Sequence, residues 1–532
     1  MPALVDPGPR GWATGVWEWS RADLLRLADL SLLHLLERIP GITAVRATAV
    51  NHPESSAVFG ATAGAIRYEI DGFVLDPLTA PTFDPSRLPL VTLEHVRVER
   101  RVTGATVRIR TLSPVEVEPY SVIEAATGDY RTNLFRGTFM TSLLGGGLAV
   151  GFESLGSQLL PGPGASLQGA SLKWTLAGED SGIQFELRQA DVSREGVGEP
   201  LDGLRRDWAV RARARFGPVT AEGYAGASSV EDEVAGLVLR EGAPQGGVRL
   251  NTRLVAPVPV EAEASLRFRG HPRLPAQELE TQAWAYPTYW LAVGTELIHG
   301  RWDGAPYTGR LAVQARAGPL LGASASIGLF TAQDLLPGDE LGAVEGRWSR
   351  DGARLGLEYQ RRRWLMGAAV VRASADVVPP FGLAFDIDGA AAAGGDANGL
   401  EALVALPTPW RPLRIEGWFV GMDVPDTWPY FPAQQWNLAL VYHDLPLPTD
   451  NLELYGRAEH VFRGDMVVPQ AEGLVPVGAY QATNLELTIR VMTVRAFVRW
   501  QNVFHQLFQE DLPGFARPGQ HIIYGVKWEF WN

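Results

Sequence analysis

Charged side chains alternate with apolar ones along two separate segments of this chain. The charged positions are Arg211, Arg213, Arg215, Glu261, Glu263, Arg267 and Arg269. Guanidinium groups bind carboxylates and phosphates through paired hydrogen bonds, so these rows can hold an anionic ligand or form internal ion pairs. The sequence leaves both interpretations open. Ion pairing is the simpler one, because a polar interior needs such partners in any case.

The spacing of these residues predicts β-strands, since every second side chain of a strand points to the same face. If the apolar face contacts lipid, the charged face must point inward, because an arginine near the bilayer midplane costs about 2 to 4 kcal/mol. Similar alternation occurs at 171–176, 184–188, 248–254, 311–317, 412–420, 436–442, 452–458 and 494–500. In the second charged segment the apolar face consists of Val260, Ala262, Ala264, Leu266 and Phe268.

No catalytic motif accompanies these charges. The chain has no zinc-protease pair of histidines, no phosphate-binding glycine loop and no dinucleotide fingerprint. Its nine histidines are scattered and it has no cysteine, which removes thiolate metal sites and cysteine nucleophiles. We therefore predict a protein that is not an enzyme, with no metal site and no cofactor.

Composition narrows the class of protein further. Hydrophobic residues make up 46% of the chain, yet no apolar stretch approaches the length of a membrane helix, roughly 18 to 20 residues. The 58 glycines and 38 prolines suit many strands joined by turns. A formal charge of −13 without a dominant basic patch argues against nucleic acid as a partner.

Two regions differ in their pattern. Residues 20–117 mix helix and strand signals, beginning with a capping sequence at Ser20 to Asp23, and residues 1–19 form an extension before them. Residues 118–532 consist almost entirely of period-two segments separated by turns. The predicted fold is therefore mostly β: a transmembrane antiparallel barrel of about 18 to 22 strands with a small N-terminal α+β domain.

Short motifs at both ends of the chain resemble those of a known family. They are Leu35 to Ile42 with Pro40-Gly41, Ile66 to Phe73 with Asp71-Gly72, Leu88 to Arg100, Val107 to Thr111, and Val498 to Trp528. In this order they resemble the plug domain and last strands of TonB-dependent outer-membrane receptors. The resemblance implies an outer-membrane protein whose plug gates the barrel. It also implies TonB-dependent import of a scarce nutrient, such as a metal chelate, with lipid and TonB as partners.

Two features favour an alternative function. Residues 118–532 are few for the twenty-two strands of that family, a number that requires tight turns if each strand has about 9 to 11 residues. The best candidate for a TonB-contacting segment before the plug is the short Ala3-Leu4-Val5. The alternative is a non-energised plugged channel, or a surface-binding or assembly protein of the outer membrane.

Overall fold

The structure is a computed structural model. It describes the chain except for residues 3, 49, 60–64, 81, 114–118, 160–161, 163, 196–200, 235, 256, 305–306, 338–343, 379–391, 471–472, 508 and 532. The predicted boundary between residues 117 and 118 lies outside the described residues. The division into residues 1–19, 20–117 and 118–532 therefore stays a prediction.

The N-terminal domain combines two short helices with small sheets. The helices are α1 (Arg21–Arg26) and α2 (Leu33–Leu36). The strands are β1 (Val16–Trp19), β2 (Ile42–Arg46), β3 (Glu54–Val58), β4 (Ile66–Ile70), β5 (Phe73–Val74), β6 (Leu93–Arg101) and β7 (Gly104–Thr111). One sheet has the order β1-β6-β7-β4-β5, and β2 pairs with β3 in a hairpin. This confirms the predicted α+β character of the domain.

Local chemistry explains where these elements begin and end. Ser20 accepts a hydrogen bond from the Asp23 backbone N–H, and Asp23 accepts one from the Ser20 N–H, which makes the predicted capping box at the start of α1. Asp71 and Gly72 both have positive φ, 50° and 81°, and form the two-residue turn between β4 and β5. Gly41 has φ 72°, and a Cβ there would lie 2.5 Å from the Phe59 ring.

The rest of the described chain forms a closed antiparallel barrel of 22 strands, within the predicted range. The last strand pairs with the first one, which closes the barrel. The strands are β8 (Tyr120–Gly128), β9 (Asn133–Leu143), β10 (Gly146–Gln158), β11 (Gly164–Ala177), β12 (Ser181–Arg194), β13 (Leu201–Phe216), β14 (Val219–Val234), β15 (Leu237–Leu254), β16 (Val260–Arg269), β17 (Gln277–Thr288), β18 (Leu291–Arg301), β19 (Thr308–Leu320), β20 (Ala323–Pro337), β21 (Val344–Arg361), β22 (Trp364–Val378), β23 (Ala392–Pro407), β24 (Leu413–Asp423), β25 (Gln434–Asp444), β26 (Leu452–Arg463), β29 (Tyr480–Val491), β30 (Val494–Gln501) and β33 (His521–Trp531). Two further hairpins are not part of the barrel wall. In one, β27 (Met466–Gln470) pairs with β28 (Gly473–Val477); in the other, β31 (Glu510–Leu512) pairs with β32 (Phe515–Ala516).

Side-chain alternation sorts the barrel wall into an apolar outer face and a polar inner face. On β16, Leu266 and Phe268 are 40% and 46% exposed, whereas Arg267 between them is 1% exposed. On β33, Tyr524, Val526 and Trp528 are exposed. No helix in the described part of the chain is long and apolar enough to cross a membrane.

The two ends of the barrel differ in their connections. At one end, two-residue turns join the strands, as at 144–145, 217–218 and 321–322; we call this the short-turn end. At the other, the long-loop end, connections such as 424–433, 464–479 and 502–520 are much longer. Tight turns at one end leave enough residues for a full set of strands, and several of these strands exceed the length we expected. In bacterial outer-membrane barrels the short turns face the periplasm.

The N-terminal domain fills the interior of the barrel. Its core of Leu32, Leu36 and Ile39 on the helical segment continues into residues of the barrel wall such as Ala209, Val371 and Ala439. Many of its polar side chains are buried against that wall rather than exposed to solvent. The interface between domain and wall is therefore the place where the charged residues singled out above must act.

Candidate functional site between the N-terminal domain and the barrel wall

A cluster of buried charges joins the central sheet of the N-terminal domain to β16 and β17. Arg267 of β16 is at its centre: its Nη2 lies 2.9 Å from Glu69 Oε1 in β4. The Arg267 Nη1 lies 2.8 Å from both Glu278 Oε1 and Glu280 Oε2 in β17. We call Arg67, Glu69, Glu99, Arg108, Arg267, Glu278 and Glu280 the central charge cluster.

The remaining members of the central charge cluster reinforce the same interface. Arg67 Nη1 lies 2.7 Å from Glu278 Oε1, and Arg108 Nη2 lies 2.7 Å from Glu280 Oε1. Arg108 Nη1 also lies 3.1 Å from Glu99 Oε1. Burial by itself would raise the pKa of Glu99, but Arg108, Arg97 and Arg101 outweigh it and lower that pKa to about 2. These carboxylates are therefore charged at neutral pH and hold domain and wall together.

Arg269 contacts the N-terminal domain, Glu261 contacts the segment that precedes it, and Glu263 is bonded within the barrel wall. Arg269 Nε lies 3.1 Å from Asp76 Oδ2. Glu261 accepts hydrogen bonds from the Gly8 backbone N–H (3.1 Å) and from the Tyr286 hydroxyl (2.9 Å). Glu263 is buried and accepts a hydrogen bond from Asn251 Nδ2 at 3.3 Å. Arg267 and Arg269 thus meet the N-terminal domain, and Glu261 meets the segment that precedes it.

The arginines of β13 separate into different environments. Arg211 is buried and contacts Glu186, with Nε–Oε1 3.4 Å. Arg213 donates from Nε to Glu222 (3.0 Å) and from Nη1 to the Pro2 carbonyl (2.7 Å). Arg215 is exposed beside the short turn, and no ion pair to it is seen among the described residues. The structure therefore does not bring Arg215 into the interface.

The dipeptides Asp71-Gly72 and Pro40-Gly41, which resemble plug motifs, have structural roles and lie beside contacts that hold the domain to the wall. Asp71 accepts hydrogen bonds from the Thr111 backbone N–H (3.1 Å), from Thr111 Oγ1 (2.5 Å) and from Lys173 Nζ of β11 (3.2 Å). Burial would raise the pKa of Asp71, but Lys173 and Arg211 outweigh it and lower it to about 2. A Cβ at Gly72 would lie 2.6 Å from the Arg249 guanidinium.

Pro40 and Gly41 lie beside a second buried ion pair. The Pro40 carbonyl accepts a hydrogen bond from Arg100, whose Nη1 lies 2.9 Å from Glu401 Oε1 on β23. Arg354 of β21 also reaches Glu401, with Nε–Oε2 3.0 Å. This Arg100–Glu401 pair fastens the domain to a different part of the wall from the central charge cluster, on β23 rather than on β16 and β17.

Connections at the long-loop end fold inward onto the β2–β3 hairpin. Asp511 of β31 is fully buried and accepts hydrogen bonds from the Arg46 backbone N–H (3.0 Å), Arg463 Nη1 (2.6 Å) and Arg517 Nε (2.7 Å). An apolar cluster accompanies it, made of Val45, Ala47, Ala57, Tyr430, Met466, Val468, Val477 and Leu512. We call these contacts the outer closure, since they cover the hairpin from the long-loop end.

A cavity of about 220 Å³ remains between the N-terminal domain and the wall. It is bordered by β4, by the connection 270–276 and by the beginning of β19, so it lies toward the long-loop end. Its lining includes three aromatic residues, Tyr68, Phe83 and Trp302, and six charged residues, Arg67, Asp76, Arg269, Glu278, Arg310 and Asp334. Among the described residues, no group of three or more His, Asp or Glu side chains is arranged to hold a metal ion.

Sequence reasoning missed most of the domain's contribution to the interface. Glu69, Glu99 and Arg108 were not candidates, although the motifs that contain them were. The available signal was charge alternation within one strand, as in Arg67-Tyr68-Glu69 and Arg97-Val98-Glu99. Two opposite charges on one face of an apolar strand indicate a face that meets charged partners rather than a plain core.

Comparisons with known proteins identify the fold. No protein-family model and no curated protein matches the chain. Solved structures match over almost its whole length. The siderophore receptor PirA from Acinetobacter baumannii is 11% identical, with 97% of this chain and 98% of that chain covered and a TM-score of 0.75. A mutant ferric enterobactin receptor from Pseudomonas aeruginosa, in complex with enterobactin, is 11% identical, with 98% and 100% covered and a TM-score of 0.76.

A third match points to the same architecture. The ferric-catecholate import receptor Fiu from E. coli K12 is 11% identical, with 98% of this chain and 97% of that chain covered and a TM-score of 0.71. At such low identity these matches show the fold alone. They confirm, at the level of fold, the resemblance noted in the sequence: a 22-stranded barrel with an N-terminal plug domain inside it.

Proposed function

Because the chain has the plug-and-barrel fold of siderophore receptors, we propose that it is an outer-membrane receptor for a scarce nutrient, such as a ferric chelate. We propose that it imports this nutrient with energy supplied through TonB. The long-loop end faces outward and the short-turn end faces the periplasm. The N-terminal domain is the gate. The role is that of a receptor and transporter, and the proposal includes no enzymatic step.

One observation carries the proposal: the domain that fills the barrel is fastened to its wall by buried ion pairs. The central charge cluster and the Arg100–Glu401 pair connect the domain to the wall at two separate places. Leaving one member of a buried ion pair without its partner costs about 3 to 5 kcal/mol, because the remaining charge is buried and uncompensated. This cost of moving the domain away from the wall supports a gate that is opened by an energy supply rather than a channel that is open at rest.

The outer face supports the same role. The outer closure and the cavity both lie toward the long-loop end, and they place polar and aromatic side chains where an incoming ligand would first meet the domain. The exposed apolar belt of the wall, such as Leu266 and Phe268, suits lipid and would be unfavourable in water over so large an area. These features support insertion in the outer membrane.

The test is iron uptake in a Gram-negative host that lacks its own siderophore receptors. The full chain is expressed with a signal sequence, and radioactive iron is supplied as ferric enterobactin, as the ferric complex of 2,3-dihydroxybenzoate or as ferric citrate. We expect the barrel in the outer-membrane fraction and uptake of at least one complex above the empty-vector level. Deletion of TonB should abolish that uptake.

The same experiment separates the alternative. A non-energised plugged channel would take up the complex equally with and without TonB. A surface-binding or assembly protein would bind cells to a ligand or partner and give no uptake of any complex. Either result contradicts the proposed transport, while recovery of the chain from the soluble fraction contradicts the proposed location.

A further inference from the structure

The cavity beside β4 contains a cation that is less neutralised than its neighbours. Arg67 lies 2.7 Å from Glu278 and 2.9 Å from Glu69, and Arg269 lies 3.1 Å from both Asp76 and Glu278. Arg310 differs from both. Among the described residues its one ion pair is to Asp334, with Nη2–Oδ2 3.7 Å.

The carboxylate nearest to Arg310 is already taken by another arginine. Arg350 donates a short hydrogen bond to the same Asp334 oxygen, Oδ2. Arg310 also donates from Nη1 to the Ala65 carbonyl at 3.2 Å, and a carbonyl does not neutralise a guanidinium. The Arg310 side chain is 20% exposed and lines the cavity. It therefore retains donors and positive charge for a ligand.

Aromatic side chains from both the N-terminal domain and the barrel contribute to the lining of the cavity. Tyr68 and Phe83 pack with their ring centroids 5.1 Å apart, and both belong to the N-terminal domain. Trp302 borders the cavity from the barrel, where its Nε1 donates to Thr308 Oγ1 at 3.1 Å, which fixes the ring. A flat ring fits such a surface, and a guanidinium at its edge recognises a carboxylate or a pair of adjacent phenolate oxygens.

The size of the cavity limits what it can hold. Its volume of about 220 Å³ corresponds to roughly seven waters at about 30 Å³ each. Pockets for drug-sized ligands have about 300 to 1,000 Å³. The space therefore suits one small ring with its acidic group, and a complete ferric chelate with several such rings would have to extend beyond it.

We propose that this cavity binds a single small anionic group, a carboxylate or a catecholate, with Arg310 as the residue that contacts the negative charge and Trp302 as one wall. The group belongs either to one arm of a larger chelate or to a free small aromatic acid. If the group is an arm of a chelate, the inference rests on the proposed function; if it is a free aromatic acid, it does not. Binding to the purified protein can be measured without any transport, so a failed uptake assay leaves this test intact.

The experiment measures binding to the purified full chain in detergent by isothermal titration. The probes are free 2,3-dihydroxybenzoate and its ferric complex. Arg310→Gln should weaken binding about tenfold, as expected for the loss of a charge-assisted hydrogen bond. Asp334→Asn should strengthen binding severalfold, because it removes the carboxylate that competes with the ligand for Arg310.

Arg301→Gln is the matched control, since Arg301 is an exposed arginine at the same end of the neighbouring strand β18 and is not part of the cavity. It should bind both probes as the unmodified chain does. If Arg310→Gln weakens the binding of both probes, the cavity accepts the group from either source. If it weakens the binding of the ferric complex alone, the group is an arm of a chelate. Binding of neither probe, equal binding by Arg310→Gln, or weakening by Asp334→Asn would overturn the proposal.

Discussion

Arg267 of the barrel wall and Glu69 of the N-terminal domain face each other with Nη2 and Oε1 2.9 Å apart, and both side chains are almost completely buried. They lie 198 positions apart in the chain. The pair is one contact of the central charge cluster, in which Glu278 and Glu280 share the same guanidinium. Its energy therefore determines how firmly the domain is seated.

Arg267→Met should loosen the N-terminal domain without opening the barrel. The change keeps an unbranched apolar stem but leaves Glu69, Glu278 and Glu280 with one cation fewer in a buried place. We expect a loss of about 3 kcal/mol in the stability of the seated domain. The measurement is the rate of trypsin cleavage within residues 20–112 of the detergent-purified protein, which should rise strongly while the barrel stays resistant.

Arg240→Met is the matched control for this experiment. Arg240 pairs with Glu231 at 2.8 Å, but the two side chains are 71% and 47% exposed. Exposed pairs of this kind contribute about 0 to 1 kcal/mol, so cleavage should remain close to that of the unmodified chain. Equal cleavage rates in the two variants would contradict the prediction that the central charge cluster holds the domain against the wall.

Asp511→Asn should loosen the outer closure. The substitution removes the charge that accepts hydrogen bonds from the Arg46 N–H, Arg463 and Arg517, while it keeps nearly the same shape. We expect hydrogen exchange at least about tenfold faster in peptides covering both 42–46 and 510–516. The matching change Asp465→Asn, at an exposed position near the other outer hairpin, should leave exchange unaltered. Faster exchange at 510–516 alone would show that this hairpin does not hold β2.

The barrel could be predicted because its physical signal is local. A charge between two outward apolar residues, as at Arg267 between Leu266 and Phe268, defines the two faces of a strand from neighbouring residues alone. The Asp71-Gly72 turn was equally visible, since positive φ at consecutive positions favours these residue types. The lengths of the strands were harder to predict from the sequence, because their inward-facing polar residues continue well beyond the segment whose outer face contacts lipid.

The site could not be predicted to the same degree because its partners meet only after folding. Nothing near Arg267 in sequence indicates Glu69, and nothing near Arg46 indicates Asp511. The exposed position of Arg215 illustrates the same limit: it continues the row of Arg211 and Arg213, yet it lies beyond the part of the wall that the domain covers. Which members of a charged row are paired depends on the depth of the domain in the barrel.

Asp71 should make the seating of the domain pH-dependent. Its pKa is lowered from the ordinary 3.8 to about 2, because Lys173 and Arg211 outweigh the effect of burial. A carboxyl group with a depressed folded-state pKa stabilises above its unfolded pKa, and this stabilisation of about 2 kcal/mol is lost as the pH falls from about 4 to about 2. At pH 5 the seated domain of Asp71→Asn should thus be less stable than that of the unmodified chain, and near pH 2 the two should be equally stable. The measurement is the stability of the domain against unfolding at each pH. A constant difference over this range would contradict the assignment.

The outer face of the wall should tolerate arginine according to depth. Leu266 projects outward from the middle of the wall, next to Val248 and Leu279, whereas Leu254 projects outward from the last residue of β15 at the short-turn end. In lipid, Leu266→Arg should cost about 2 to 4 kcal/mol and Leu254→Arg about 0 to 1 kcal/mol. The folded fraction in the outer membrane, measured by the heat-dependent shift of the barrel on gels, should fall for Leu266→Arg and stay high for Leu254→Arg. A wall that faces water would accept both, because an exposed arginine there has nothing to desolvate, and equal folding of the two variants would therefore exclude a lipid-facing belt at this position.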